Sequence, residues 1–134
     1  MIQIEVRRKY LVEKILNNIC KQDAFICGGF ARVACSPNNT PIASKDIDIY
    51  LLDEKNFNIV KQRILDNYYI QVKENDVSTV FKNAIDSDNA YEVNLIKPLK
   101  TGHLHTVGDI DEILTNFDFT IVRVGVYLDS NNNV

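Results

Sequence analysis

The stretch "FICGGFARVACSPNNTPIASKDIDIY", residues 25–50, decides how the rest of the chain is read. An apolar run ends in two adjacent glycines, Gly28 and Gly29. Arg32 follows three positions later, and Asp46 and Asp48 flank a single isoleucine. The apolar tetrad 24–27 predicts a short buried strand that stops at the glycines. "FARVAC", residues 30–35, predicts a short helix behind them. "SPNNTP", residues 36–41, is a loop, because Pro, Asn and Ser all favour turns. "DIDIYLL", residues 46–52, alternates polar and apolar and then becomes apolar throughout, as a strand entering a core does.

A strand that ends in Gly-Gly before a helix lets the backbone come close to a ligand and presents free N–H groups at the helix start, which suits a phosphate. Arg32 falls one turn along that helix, where its guanidinium adds a charge-assisted contact to the same phosphates. Asp46 and Asp48, at i and i+2 of a strand, project to one face. Magnesium takes hard oxygen ligands and commonly uses one or two carboxylates together with substrate phosphates. Taken singly, the glycines read as a turn, the aspartates as a solvated strand edge and the arginine as a surface residue. In this order, within 21 residues, they describe a holder for a metal-bound nucleoside triphosphate.

Working outward, Ile4, Leu11, Val12, Ile15, Leu16 and Ile19 form an imperfect apolar stripe that predicts an amphipathic helix over 3–21. Arg7, Arg8 and Lys9 beside it read as a solvated basic face. Residues 53–68 predict a second helix, with Phe57, Val60, Ile64 and Leu65 at helical spacing and acids in the first turn, where the helix dipole favours them. "YIQVKE", "VSTVFK" and "AYEVNLIK" predict three strands, the first two joined through Asn75-Asp76 and the last two through "NAIDSDN". "TGHLHTVGD" is expected to be a loop, "IDEILTNF" a short helix and "FTIVRVGVYLD" a last strand, with a turn over 129–133. His103 and His105 read as loop residues rather than a metal pair. Tyr68, Tyr69, Tyr91 and Tyr127 are expected to pack in the core with their hydroxyls at its rim. The sum is one α+β (mixed α/β) domain over 1–134, a mixed central sheet flanked by helices.

Composition sets bounds on function. A chain of 134 residues, 46% hydrophobic and 25% charged, buries a real core without disulfides or a structural metal. A net charge of −3 argues against a broad basic surface for nucleic acid, which needs clustered Lys and Arg. Cys20, Cys27 and Cys35 are odd in number and lie in or beside apolar segments, as reduced and mostly buried thiols of a cytosolic protein do. No apolar stretch approaches the roughly 20 residues of a membrane span, and the N-terminal stretch carries charges where a signal peptide is apolar. The expected compartment is the cytoplasm.

"GGFAR", a loop and "KDIDIYLL" resemble the signature of the nucleotidyltransferase superfamily that includes DNA polymerase beta. The resemblance is nearest to the head domain of bacterial poly(A) polymerases and CCA-adding tRNA nucleotidyltransferases. Residues 117–134, "FDFTIVRVGVYLDSNNNV", look like that family's Arg-Arg-Asp-Phe-Thr segment and the strand and turn after it. The resemblance implies the nucleotidyltransferase fold, with Gly29 and Arg32 contacting the incoming nucleotide and Asp46 and Asp48 binding magnesium. Gly28, Ser44 and Lys45 would frame the phosphates, and Asp118 would contact the nucleotide. Two departures stand out. Asn116-Phe117 replaces the arginine pair, and Asn94 stands in "YEVNLIK" where a third carboxylate would suit, with Glu92 one pleat away on the same face as its substitute.

The implied activity is magnesium-dependent transfer of a nucleoside monophosphate from a nucleoside triphosphate to an acceptor hydroxyl, with Asp46, Asp48 and Glu92 as the catalytic carboxylates. In a two-metal form, a second ion lowers the pKa of the acceptor hydroxyl and Glu92 completes the metal shell. The acceptor is an RNA 3' end, a small molecule or a protein. Two other readings stay open: a nucleotide-binding module of the same fold without transfer, and a head-domain subunit that acts through a protein partner, as in a toxin–antitoxin pair, or as a homodimer. The neck, body and tail that accompany such heads are absent from these residues, and "NNNV" reads as the cut end of a longer chain.

Overall fold

The computed structural model describes residues 9–28, 31, 35, 46–84, 91–101, 104–115, 125–131 and 134. Helix α1 (Lys9–Ile15) runs directly into a π-helical turn, Leu16–Cys20, which places Leu16, Ile19 and Cys20 in the interior. The wider turn is closed by the Lys21 N–H on the Leu16 carbonyl at 2.6 Å. Lys21 then takes a positive φ of 48° and turns the chain into strand β1 (Ala24–Cys27). Arg63 ties this corner down: it donates to the Ile19 carbonyl at 3.2 Å and pairs with Asp23 at 2.8 Å.

Strand β2 (Asp46–Leu51) alternates as its sequence predicts, with Ile47, Ile49 and Leu51 buried and Asp46, Asp48 and Tyr50 on the other face. Asp53 then accepts the Lys55 N–H at 3.1 Å and starts a 3₁₀ turn, Glu54–Asn56. That turn leads into helix α2 (Phe57–Asp66), which buries Val60 and Ile64 and leaves Leu65 more exposed. The helix expected over 53–68 is therefore shorter. Tyr68, at φ +68°, makes the left-handed reversal into strand β3 (Tyr69–Glu74).

Strands β3 and β4 (Ser78–Asn83) pair antiparallel around Asn75, whose side-chain oxygen accepts the N–H groups of Val77 and Ser78 at 2.8 and 2.9 Å. Strand β5 (Glu92–Ile96) pairs antiparallel with β4 and parallel with β2. The stretch expected to be a loop after β5 holds a small hairpin, β6 (Lys100–Thr101) with β7 (Leu104–His105). Its base is closed by the Thr106 hydroxyl, which donates to the Lys97 carbonyl at 2.6 Å and accepts the Leu99 N–H at 2.7 Å. Backbone pairing here needs no apolar alternation, so the pattern gives no sign of it. Helix α3 (Ile110–Thr115) forms as predicted, and the described part of the last strand is β8 (Gly125–Val126).

Among the described residues the main sheet has six strands in the order β3-β4-β5-β2-β1-β8, with β2 and β5 at its centre as the parallel pair. This is the mixed α+β architecture expected from the sequence. One face packs against α1, the π turn and α2 through Val12, Ile15, Leu16, Ile19, Val60 and Ile64. Burying an aliphatic side chain of this size contributes roughly 1.5–3 kcal/mol, so this layer dominates the stability of the sheet. The opposite face carries a smaller cluster of Phe25, Cys27, Tyr50, Ile110 and Ile113, in which Phe25 and Tyr50 stack with ring centroids 6.1 Å apart. Gly125 admits Ile110 against β8, since a Cβ there would collide with the isoleucine side chain.

The tyrosines divide. Tyr69 is buried and Tyr91 packs against the core, but Tyr68 is 64% exposed and Tyr127 44% exposed, contrary to the expectation of core packing. At Tyr68 the left-handed backbone reverses the chain between α2 and β3, and the ring is left exposed. No helix among the described residues is long and apolar enough to cross a membrane.

Candidate functional site

Strand register builds the site. In the antiparallel pairing of β1 with β2, Cys27 lies across from Asp48; in the parallel pairing of β2 with β5, Asp46 lies across from Glu92 and Asp48 from Asn94. Directly paired residues share a face. Asp46, Asp48, Glu92 and Asn94 therefore stand together on the face opposite the α1–α2 layer. Asp46, first in its strand, is exposed, while Asp48, Glu92 and Asn94 are half-buried.

Gly28 closes the site on the β1 side. Its φ of +94° lies in the region where only glycine is at ease. A Cβ at this position would stand 2.7 Å from Asp48 Oδ2. The strand-ending glycine thus brings bare backbone against the carboxylate. The Asn94 side-chain amide holds the other oxygen, donating from Nδ2 to Asp48 Oδ1 at 3.1 Å. Asn94 Oδ1 is itself buried and has no hydrogen-bond partner among the described residues. On the β4 side, Lys82 Nζ lies 3.5 Å from Glu92 Oε1.

These surroundings disfavour charge on Asp48. Burial pushes its carboxyl up from 3.8 to about 6; the Asn94 hydrogen bond works against this, and the Asp46 charge adds to it. Burial, with the Asp48 charge second, also pushes the Cys27 thiol up. Tyr50 is raised by burial first and then by Asp48 and Cys27. Cys27 is thus a packing residue beside the site and not a nucleophile.

A divalent cation fits this donor set on three observations. Two carboxylates sit at i and i+2 on one face. Asp48 Oδ2 lies so close to the Gly28 backbone that a Cβ there would stand 2.7 Å away, and among the described residues an orphaned buried oxygen sits on Asn94. The donors are hard oxygens, as magnesium requires. Among the described residues no three His, Cys, Asp or Glu side chains gather into a metal cage.

Gly29, Arg32, Ser44, Lys45 and Asp118 lie outside the described residues, as do Asn116, Phe117, Arg7, Arg8 and His103. Within the expected 30–35 helix, the Cys35 N–H donates to the Ala31 carbonyl at 3.1 Å, the i→i−4 bond of a helical turn. Cys20 and Cys27 are buried and Cys35 half-buried, all three as free thiols. Sequence reasoning named Asp46, Asp48 and Glu92 as candidates and Asn94 as a departure, but missed the Asn94–Asp48 bond and the Lys82 partner of Glu92. Register across β2–β5 and β4–β5 creates both, and the lengths of the connecting segments do not reveal it. A cavity of about 250 Å³ lies at the other end of β1, lined by Phe25, Ile110, Tyr127 and Leu128 among others.

The model of a family described as Gad2, Gabija anti-defense 2 family protein, matches residues 3–134. No curated protein matches the chain.

Proposed function

The chain belongs to the Gabija anti-defense 2 family, and we propose that it is a magnesium-dependent nucleotidyltransferase with the nucleotidyltransferase fold. The observation that carries this reading is the carboxylate pair Asp46 and Asp48 on one face of a central strand, with Asp48 Oδ2 turned toward the bare backbone of Gly28. Asp46 and Asp48 would hold magnesium. When bound, the ion neutralises triphosphate oxygens and polarises the α-phosphorus. Gly28 leaves room for phosphate oxygens to approach the main chain. By the family resemblance, Gly29, Ser44 and Lys45 frame the phosphates, Arg32 counters charge on the leaving pyrophosphate and Asp118 contacts the nucleotide.

In the reaction, the acceptor oxygen forms a bond to the α-phosphorus, the bond from that phosphorus to the bridging oxygen breaks, and pyrophosphate leaves. The acceptor proton would pass to a carboxylate, and Glu92, across from Asp46 on the same face, would take it. The family's name sets its members against a defence called Gabija. The acceptor hydroxyl, on an RNA 3' end, a small molecule or a protein, would then lie on something that defence needs.

Asn94 favours a second reading. With an amide across from Asp48 in place of a carboxylate, the site would bind a nucleotide and magnesium without transferring it, acting alone or through a protein partner. Calorimetric titration of each nucleoside triphosphate with magnesium, on the wild type and on Asp46→Asn with Asp48→Asn, tests both. Saturable binding lost in the double variant supports a nucleotide site, and α-labelled triphosphate then distinguishes transfer from retention. Absence of binding by all four triphosphates refutes both readings.

A further inference from the structure

We propose that this site holds one divalent cation, not two, and that Asn94 is the positioning residue that sets the number. The inference rests on the cation-binding reading above and deepens it.

Two ions a few ångströms apart need a bridging carboxylate with an oxygen for each, and further anionic ligands around the pair. Asp48 is the carboxylate at the centre of the face, between β1 and β5. Its Oδ2 lies against the bare backbone of Gly28, where a Cβ would stand 2.7 Å away. Its Oδ1 takes the Asn94 Nδ2–H at 3.1 Å. The position across from Asp48, where a second ion would find its ligand, thus presents the positive end of an amide. The remaining carboxylate on β5, Glu92, lies one pleat away across from Asp46 and has the Lys82 ammonium 3.5 Å from Oε1.

The second half of the amide points the same way. Among the described residues Asn94 Oδ1 is buried without a partner, and a buried acceptor left unmade is destabilising. A water ligand of a single bound ion is a donor that would satisfy it. Asn94 would then orient Asp48 through one atom and the ion's hydration through the other. Groups that orient ligands in this way typically change metal affinity 10–100-fold when removed.

The test is a manganese titration followed by electron paramagnetic resonance on the full chain without nucleotide, with Asp46→Asn/Asp48→Asn as the background for adventitious surface ions. One specific ion per chain in the wild type is expected. Asn94→Asp, nearly isosteric, places a third carboxylate across from Asp48 and is expected to bind two. Asn94→Ala is expected to keep one ion with affinity lowered at least ten-fold. Two specific ions in the wild type overturn the proposal and leave the nucleotidyltransferase reading standing. One ion in Asn94→Asp overturns the role of Asn94, provided its circular dichroism matches the wild type. No specific ion in the wild type overturns the proposal and the magnesium reading together. The wild-type count needs no variant to fold.

Discussion

Asp48→Asn should make the metal-free protein more stable at neutral pH while abolishing its response to magnesium. The Asp48 carboxyl is raised in the fold from 3.8 to about 6, chiefly by burial and then by Asp46, against the opposing Asn94 hydrogen bond. A pKa raised on folding means that the ionised form is disfavoured in the native state. The cost is absent while the group is protonated in both states, grows as pH rises from about 4, and is complete above about 6. A shift of about two units corresponds to roughly 3 kcal/mol. Asparagine removes the charge and keeps an oxygen to accept the Asn94 N–H. In a domain of this size 1 kcal/mol moves the midpoint by roughly 4 °C. Thermal melts in chelator at pH 7.5 should therefore place Asp48→Asn about 10 °C above the wild type. At pH 4 the two should differ by less than ~1 kcal/mol. Adding magnesium at pH 7.5 should raise the wild type by mass action and leave the variant where it was. A variant no more stable than the wild type at pH 7.5, or an equal difference at pH 4 and pH 7.5, would refute the picture of a buried, strained carboxylate awaiting a cation.

Gly28→Ala should cost about 2–4 kcal/mol in urea denaturation, combining a left-handed backbone with a Cβ 2.7 Å from Asp48 Oδ2. In an Asp48→Ala background only the backbone part, about 1–2 kcal/mol, should remain, and an equal cost in both backgrounds would show that the collision is not felt. Arg63→Ala removes the bond to the Ile19 carbonyl and the pair with Asp23. The loss should be about 2 kcal/mol in the same assay, and a loss below ~0.5 kcal/mol would mean the π turn holds without it. Burial raises all three thiols, Cys35 being the least buried. Alkylation followed by mass spectrometry should modify Cys35 first and reach Cys20 and Cys27 only after unfolding; early labelling of Cys27 would contradict its place beside Asp48.

Much of the architecture could be read along the chain because it rests on local periodicity. The alternation in "DIDIYL" is that of β2, with its isoleucines in the core and its aspartates together on the other face. The apolar "AFIC" ending at glycine is β1, and the spacing of Val60 and Ile64 is the buried side of α2. Misreadings fell where backbone hydrogen bonding decides without a side-chain pattern. The π turn after α1 and the β6–β7 hairpin closed by Thr106 are two such places. At Tyr68 a positive φ sets the exposure of the ring, and the residue type gives no sign of it.

For the candidate site, the sequence by itself determined the chemistry on offer: two carboxylates on one face of a strand, a glycine turn before it, and an asparagine and a glutamate alternating on a later strand. These follow from the period of a strand, which needs no knowledge of its neighbours. Only the tertiary structure decided which of them meet. The parallel register of β2 with β5 sets Asn94 against Asp48 and Glu92 against Asp46, and the antiparallel register of β4 with β5 brings Lys82 to Glu92. A slip of one residue in either pairing would turn the partners to the opposite face. Register is set by how the whole core packs, through contacts between residues far apart in sequence.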